Sequence, residues 1–246
     1  MADIETNNGV TLLTNWLSRQ ISPESFAWLK ERKAEIIRDG AERKLFTAFS
    51  AVPRYIEKTN FQLTNAELAT ANNLKAGWNP SRWTLDQVGR TILILSFPNR
   101  DEDKYIKTLD KIFAAADVGE AIALYQSLPL LPYPNSFKLR AAEGIRTNMT
   151  SVFNAVALHN PYPANYLDDL AWNQMILKAL FVGTPLHPIY GLKQRNNQQL
   201  SQMLLNYARE RLAAKRTVNP ELWDLTAAFQ PEEVVRLKAA FDKMHD

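Results

Sequence analysis

The sequence predicts an all-α fold, either a compact multi-helical domain of antiparallel helix pairs or a short α-solenoid. Three observations predict it. Apolar residues recur at helical spacing along most of the chain: Leu200, Met203, Leu204, Tyr207, Ala208 and Leu212 share one face, and Ala142, Ile145, Met149, Val152, Phe153 and Val156 share another. Glycine occurs only 8 times in 246 residues, about half its usual share, which disfavours barrels and sandwiches with many tight turns. Prolines and capping residues fall mostly between the periodic segments, as they do between short helices.

In chain order, the first clear helix is Pro23–Asp39. Ser22 supplies an N-cap, Pro23 the first helical position and Gly40 the left-handed stop. Thr64 with Glu67, and Thr84 with Gln87, have the spacing of capping boxes. The run Thr91-Ile-Leu-Ile-Leu95 would pass for a strand, but the cap at Thr84 and the length to Phe97 favour a buried helix. The acidic groups Asp101-Glu-Asp103 and Asp168-Asp169 read as helix starts, where carboxylates suit the dipole. Around 171–183, Trp172, Met175, Ile176, Ala179 and Leu180 form one apolar stripe. Ten to thirteen helices are expected, with no repeat at a fixed period and no linker composition. The chain therefore reads as a single all-helical domain over 1–246, with 1–8 and 244–246 as flexible ends.

Composition excludes several chemistries. Without cysteine there are no disulfides, thiolate nucleophiles, iron–sulfur clusters or cysteine zinc sites. Residues 1–10 lack the basic start and apolar centre of a signal peptide, and no apolar run approaches the ~20 residues that span a bilayer. A cytoplasmic protein that does not span the membrane is expected. The net charge is +3, and its basic excess near 193–216 is too thin for a nucleic-acid footprint. Nucleotide-binding glycine loops, H-E-x-x-H and G-x-S-x-G are absent, so no catalytic residue, metal site or cofactor is expected.

Two helices are chemically richer. Arg140, Glu143 and Arg146 step by three and share a face: an ion-pair ladder, or guanidinium forks offered to an anion. Gly144 beside them marks a close helix contact or a ligand approach. On the 171–183 helix, Asn173, Gln174 and Lys178 are polar groups on a mostly apolar surface. They are its wet edge, or they face a pocket. With Asn148 at the end of the first segment and Tyr162 of the loop 159–166 between the two, these residues make the candidate ligand set: Arg140, Glu143, Arg146, Asn148, Tyr162, Asn173, Gln174 and Lys178. Converging cations beside an apolar wall suit a metabolite with one acidic group on an apolar body.

The runs Ala142-Glu-Gly-Ile-Arg-Thr-Asn148, Asn160-Pro-Tyr-Pro163 and Trp172-Asn-Gln-Met-Ile-Leu-Lys-Ala-Leu-Phe-Val-Gly183 resemble EboA-domain proteins. So do Trp78-Asn-Pro80, Ala115-Ala-Asp-Val-Gly-Glu120, Ala123-Leu-Tyr125, Leu128-Pro-Leu-Leu-Pro132 and Pro185-Leu-His-Pro188. The similarity covers roughly residues 22–229. The resemblance implies a bacterial gene cluster that also encodes a membrane prenyltransferase, a metal hydrolase, a sugar-phosphate-cyclase-like enzyme and a TIM-barrel protein. Such clusters are linked to making or exporting a secondary metabolite, including a cyanobacterial sunscreen precursor. The resemblance carries no site residues with it.

The expected function is therefore a non-catalytic accessory protein. It would hold a small, partly apolar acidic metabolite or dock on an enzyme of the cluster, the membrane prenyltransferase included. One alternative is a helical-repeat scaffold that only bridges proteins. The other is an all-α enzyme on an isoprenoid-type substrate, with Asp101-Glu-Asp103 and Asp168-Asp169 as the candidate magnesium-binding groups.

Overall fold

The computed structural model describes the backbone of residues 2–245 and the side chains of residues 6–243. Fourteen α-helices, and no strand, form among the described residues; a single isolated bridge joins Asn60 and Thr84. The chain divides into two compact units, residues 1–166 and 167–246. Of the expected flexible ends, Met1 and Asp246 lie outside the described residues, and the side chains of 244 and 245 do too. The backbone of 2–8 belongs to the first helix.

The first unit holds α1 (Ala2–Leu17), α2 (Pro23–Asp39), α3 (Glu42–Ala51), α4 (Asn65–Leu74), α5 (Leu85–Leu95), α6 (Glu102–Ala115), α7 (Val118–Ser127), α8 (Lys138–Arg146), α9 (Thr150–Ala157) and α10 (Tyr162–Tyr166). The local signals explain the starts. The Ser22 hydroxyl accepts from the Ser25 amide at 3.1 Å, and Gly40 closes α2 at φ 55°. Thr64 and Glu67 bond reciprocally at 2.9 and 3.2 Å, completing a capping box.

Helix α5 is the centre of this unit. All eleven of its residues are buried, and α1, α2, α3 and α7 pack around it. The strand-like run Thr91–Leu95 is its second half; a helix surrounded on every side has no need of an amphipathic pattern. Gly89 lets the segment 52–56 approach, since a Cβ there would lie 2.8 Å from Ile56 Cδ1 and 3.3 Å from Val52 Cγ1. Two charges go into the core with it. Arg90 Nη1 donates to Asp86 at 3.0 Å, its Nε donates to the Phe49 carbonyl, and its guanidinium lies over the Phe49 ring.

The apolar stripe from Ala142 to Val156 is not one helix. It breaks between Arg146 and Thr150, where Thr147 and Met149 are extended (ψ 149° and 103°), and Met149 turns outward. Helices α8 and α9 then fold back on each other against α7. Gly144 marks that crossing. A Cβ at this position would stand 2.7 Å from the Tyr125 ring and from Val156 Cγ2. Gly144→Ala is expected to destabilise the protein by about 1–3 kcal/mol through overpacking, despite alanine's better helix propensity. Urea denaturation checks this; a stabilised variant would mean that the ring moves aside freely.

The second unit holds α11 (Asp169–Val182), α12 (Gln198–Ala213), α13 (Glu221–Ala227) and α14 (Pro231–His245). Asn173 and Asn197 exchange side-chain hydrogen bonds at 3.2 and 3.0 Å near the start of both α11 and α12. Near their ends, the Phe181 ring meets the Tyr207 ring edge-on at 4.9 Å. The two helices therefore run in the same direction, and the long segment 184–197 carries the chain back. Trp172 is fully buried, with Arg195 stacked 5.0 Å from its ring.

Candidate functional site

Arg140, Glu143, Tyr162 and Asn173 of the sequence-derived set are engaged in internal hydrogen bonds. Arg140 is held on two sides, by Asp110 at 2.7 Å and by Glu143 at 2.8 Å, and it lies over the Phe113 ring. Its guanidinium is an intramolecular tie between α6 and α8. The Tyr162 hydroxyl donates to the Pro134 carbonyl at 2.5 Å, and its ring is buried; burial pushes its phenol well above the ordinary value. Asn173 is fully buried in the amide pair with Asn197. Arg146, Asn148 and Gln174 are exposed, and Lys178 is half-buried, with its amine pushed below the ordinary lysine value by desolvation. Arg146 belongs to the first unit and Lys178 to the second.

The acidic groups act at helix starts. Asp101 accepts from the Lys104 amide at 3.0 Å, and Asp168 accepts from the Ala171 amide at 2.8 Å. Asp169 pairs with Arg195 at 2.5 Å and Asp103 with Lys107 at 3.6 Å. Among the described residues, no three His, Asp or Glu side chains gather around one metal position.

Sequence reading missed a groove in the first unit. Its volume is about 740 Å³, and it is open to solvent along one side. Helix α1 lines it with Val10 and Thr11, and α2 with Lys33 and Ile37. The segment after α5 contributes Phe97, Pro98 and Arg100. Local chemistry fixes each wall. Ser96 donates to the Ile92 carbonyl at 2.6 Å, ending α5, and the Tyr133 hydroxyl donates to the Asn99 carbonyl, which holds the turn before Arg100. Lys33 and Ile37 stand one helical turn apart and so face the same way.

The charge of this groove is one-sided. Among the described residues, Lys33 and Arg100 line it, no carboxylate does, and neither cation forms an ion pair. Desolvation pushes the Lys33 amine below the ordinary lysine value, as expected for a half-buried amine against apolar side chains. A second hollow, of about 600 Å³ on α6, differs in this respect. Its lysines face Glu42, Asp101, Asp103 and Asp110, and Lys111 is paired with Glu42 at 2.6 Å.

A family model described as "Metabolite traffic protein EboA" matches residues 10–227. The chain belongs to the EboA family. No curated protein and no solved structure matches it.

The runs that carry the EboA resemblance hold the fold together. Asn160 donates to the carbonyls of Tyr125 and Ala155, both at 3.0 Å, and accepts from the Tyr162 amide, which fixes the Asn-Pro-Tyr-Pro corner. Trp78 is buried between Trp16 and Trp83. Asp117 and Glu120 form the capping box of α7. The EboA match includes Val10, Thr11, Lys33, Ile37 and Arg100 of the groove.

Proposed function

We propose that this chain is an accessory protein of small-metabolite traffic, one that holds a metabolite and does not transform it. The observation that carries this reading is the groove of the first unit, which sets an apolar wall beside two cations. A concave, mostly apolar surface with a few placed polar groups is the usual form of a small-molecule site, and helical proteins build such sites between helices. The family description, metabolite traffic, supports the same role. In this reading the protein serves secondary metabolism in the cytoplasm and passes its ligand to proteins of the same gene cluster, the membrane prenyltransferase among them.

The sequence-derived ligand set stays a proposal beside the groove. Arg146 is its strongest member, because its side chain is exposed while Arg140 and Tyr162 are engaged in internal bonds.

One experiment tests both. A bacterial strain lacking this gene is complemented with the natural chain, with Thr11→Trp or with Arg146→Met, and the exported pathway product is quantified. Thr11 is exposed on the groove wall, so an indole there fills the groove without disturbing the core. The expected result is loss of most export with Thr11→Trp at normal protein level and helicity. Normal export with Thr11→Trp but not with Arg146→Met would move the site to α8. Normal export with both would remove the binding reading.

A further inference from the structure

We infer that the groove selects ligands that bear a single anionic group, a carboxylate, sulfonate or phosphate, on a flat apolar body. Lys33 and Arg100 are its anion-binding residues. The inference rests on the binding role proposed above and adds the ligand class and the two residues that read it.

The groove's charge is unbalanced. In two other hollows, one on α6 and one at the start of α14, lining cations meet lining carboxylates: Lys107 has Asp103, Lys111 has Glu42, and Arg236 has Glu233. The groove breaks that pattern. Its two cations come from different elements, α2 and the segment before α6, about 65 residues apart in sequence. Among the described residues neither is paired, and the remaining lining is apolar or neutral. Lys33 is also half-buried, and holding an ammonium there costs free energy unless a counter-charge enters. An incoming anion relieves that cost and gains charge-assisted hydrogen bonds, and the guanidinium of Arg100 can offer two parallel donors.

The apolar part of the ligand is set by the side chains beside the two cations. Ile37, 53% exposed, and the half-buried Pro98 present aliphatic carbon, and the nearly buried Val10 and Phe97 stand behind them. A body of two or three fused or linked rings fits within about 740 Å³.

The test uses two fluorescent probes that share one body, 8-anilinonaphthalene-1-sulfonate and N-phenyl-1-naphthylamine. The second lacks the sulfonate. Both are titrated into the full chain and into Lys33→Met, Lys33→Arg, Arg100→Met and Thr11→Trp, each confirmed folded by circular dichroism. The sulfonate is expected to bind the natural chain more tightly than the amine. Each methionine variant is expected to weaken sulfonate binding roughly tenfold, the worth of one charge-assisted hydrogen bond, and to leave the neutral probe unchanged. Lys33→Arg should restore most of the loss, and Thr11→Trp should abolish binding of both probes.

Equal affinity for the two probes, or sulfonate binding indifferent to Lys33 and Arg100, overturns the anion selectivity while leaving a groove that binds apolar bodies. Failure of both probes, or binding untouched by Thr11→Trp, overturns the groove itself and the selectivity with it. Tighter sulfonate binding that needs both cations, with neutral binding indifferent to them, supports the inference.

Discussion

Replacing Arg90 by methionine is expected to destabilise the protein by about 3–5 kcal/mol, the largest loss of any single charge in the chain. The side chains of Arg90 and Asp86 are 4% and 3% exposed, and each is the other's counter-ion at 3.0 Å. The guanidinium also donates to the Phe49 carbonyl and covers the Phe49 ring. Methionine fills much of the same volume, so the loss comes chiefly from the carboxylate left unpaired in the core. The double variant Asp86→Leu/Arg90→Met separates that cost from packing. It is expected to recover most of the stability, because a well-packed apolar pair commonly matches a buried ion pair. Recovery should be incomplete, since Asp86 also accepts the Thr84 hydroxyl at the start of α5. Urea denaturation of the two variants decides the matter. A loss near zero for Arg90→Met would mean that water reaches Asp86 and that the centre of the first unit is looser than its packing.

That ion pair also shows what the sequence could and could not reveal. Asp86 and Arg90 have an i,i+4 spacing that normally marks a solvated helix face. Nothing local says that the whole of α5 is enclosed, because enclosure comes from four other helices. Signals that act within one turn were legible: the Ser22 cap, the Gly40 stop, and the box at Thr64 and Glu67. The apolar period running from Ala142 to Val156 was misleading, because two short helices at the right phase mimic one long one. The ladder of Arg140 and Glu143 was visible by spacing, yet Asp110, which completes it, comes from a helix 30 residues earlier. The groove was invisible for the same reason. Val10, Lys33 and Arg100 are each ordinary on their own segment, and only the packing of α1, α2 and the 95–100 segment brings them to one surface.

In the second unit, Trp172→Ala is expected to cost about 3–5 kcal/mol, the range for deleting a large buried aromatic side chain. The ring has no exposed surface, and the alanine variant would leave a cavity that neighbouring helices fill only partly. Part of the loss is indirect. Arg195 stacks 5.0 Å from the ring while donating to the Leu167 carbonyl at 2.8 Å and pairing with Asp169 at 2.5 Å. The indole is thus the floor on which Arg195 ties the start of α11 to the segment before α12. Packing, and not hydrogen bonding, holds the ring, because its Nε1 has no hydrogen-bond partner among the described residues. Trp172→Phe then removes an unsatisfied donor and keeps most of the stacking surface, so its loss should be roughly half that of alanine or less. Denaturation midpoints of the two variants test this order. A phenylalanine variant as damaged as the alanine one would show that the indole nitrogen matters after all, and an alanine loss below about 1 kcal/mol would mean that the ring is not part of the core.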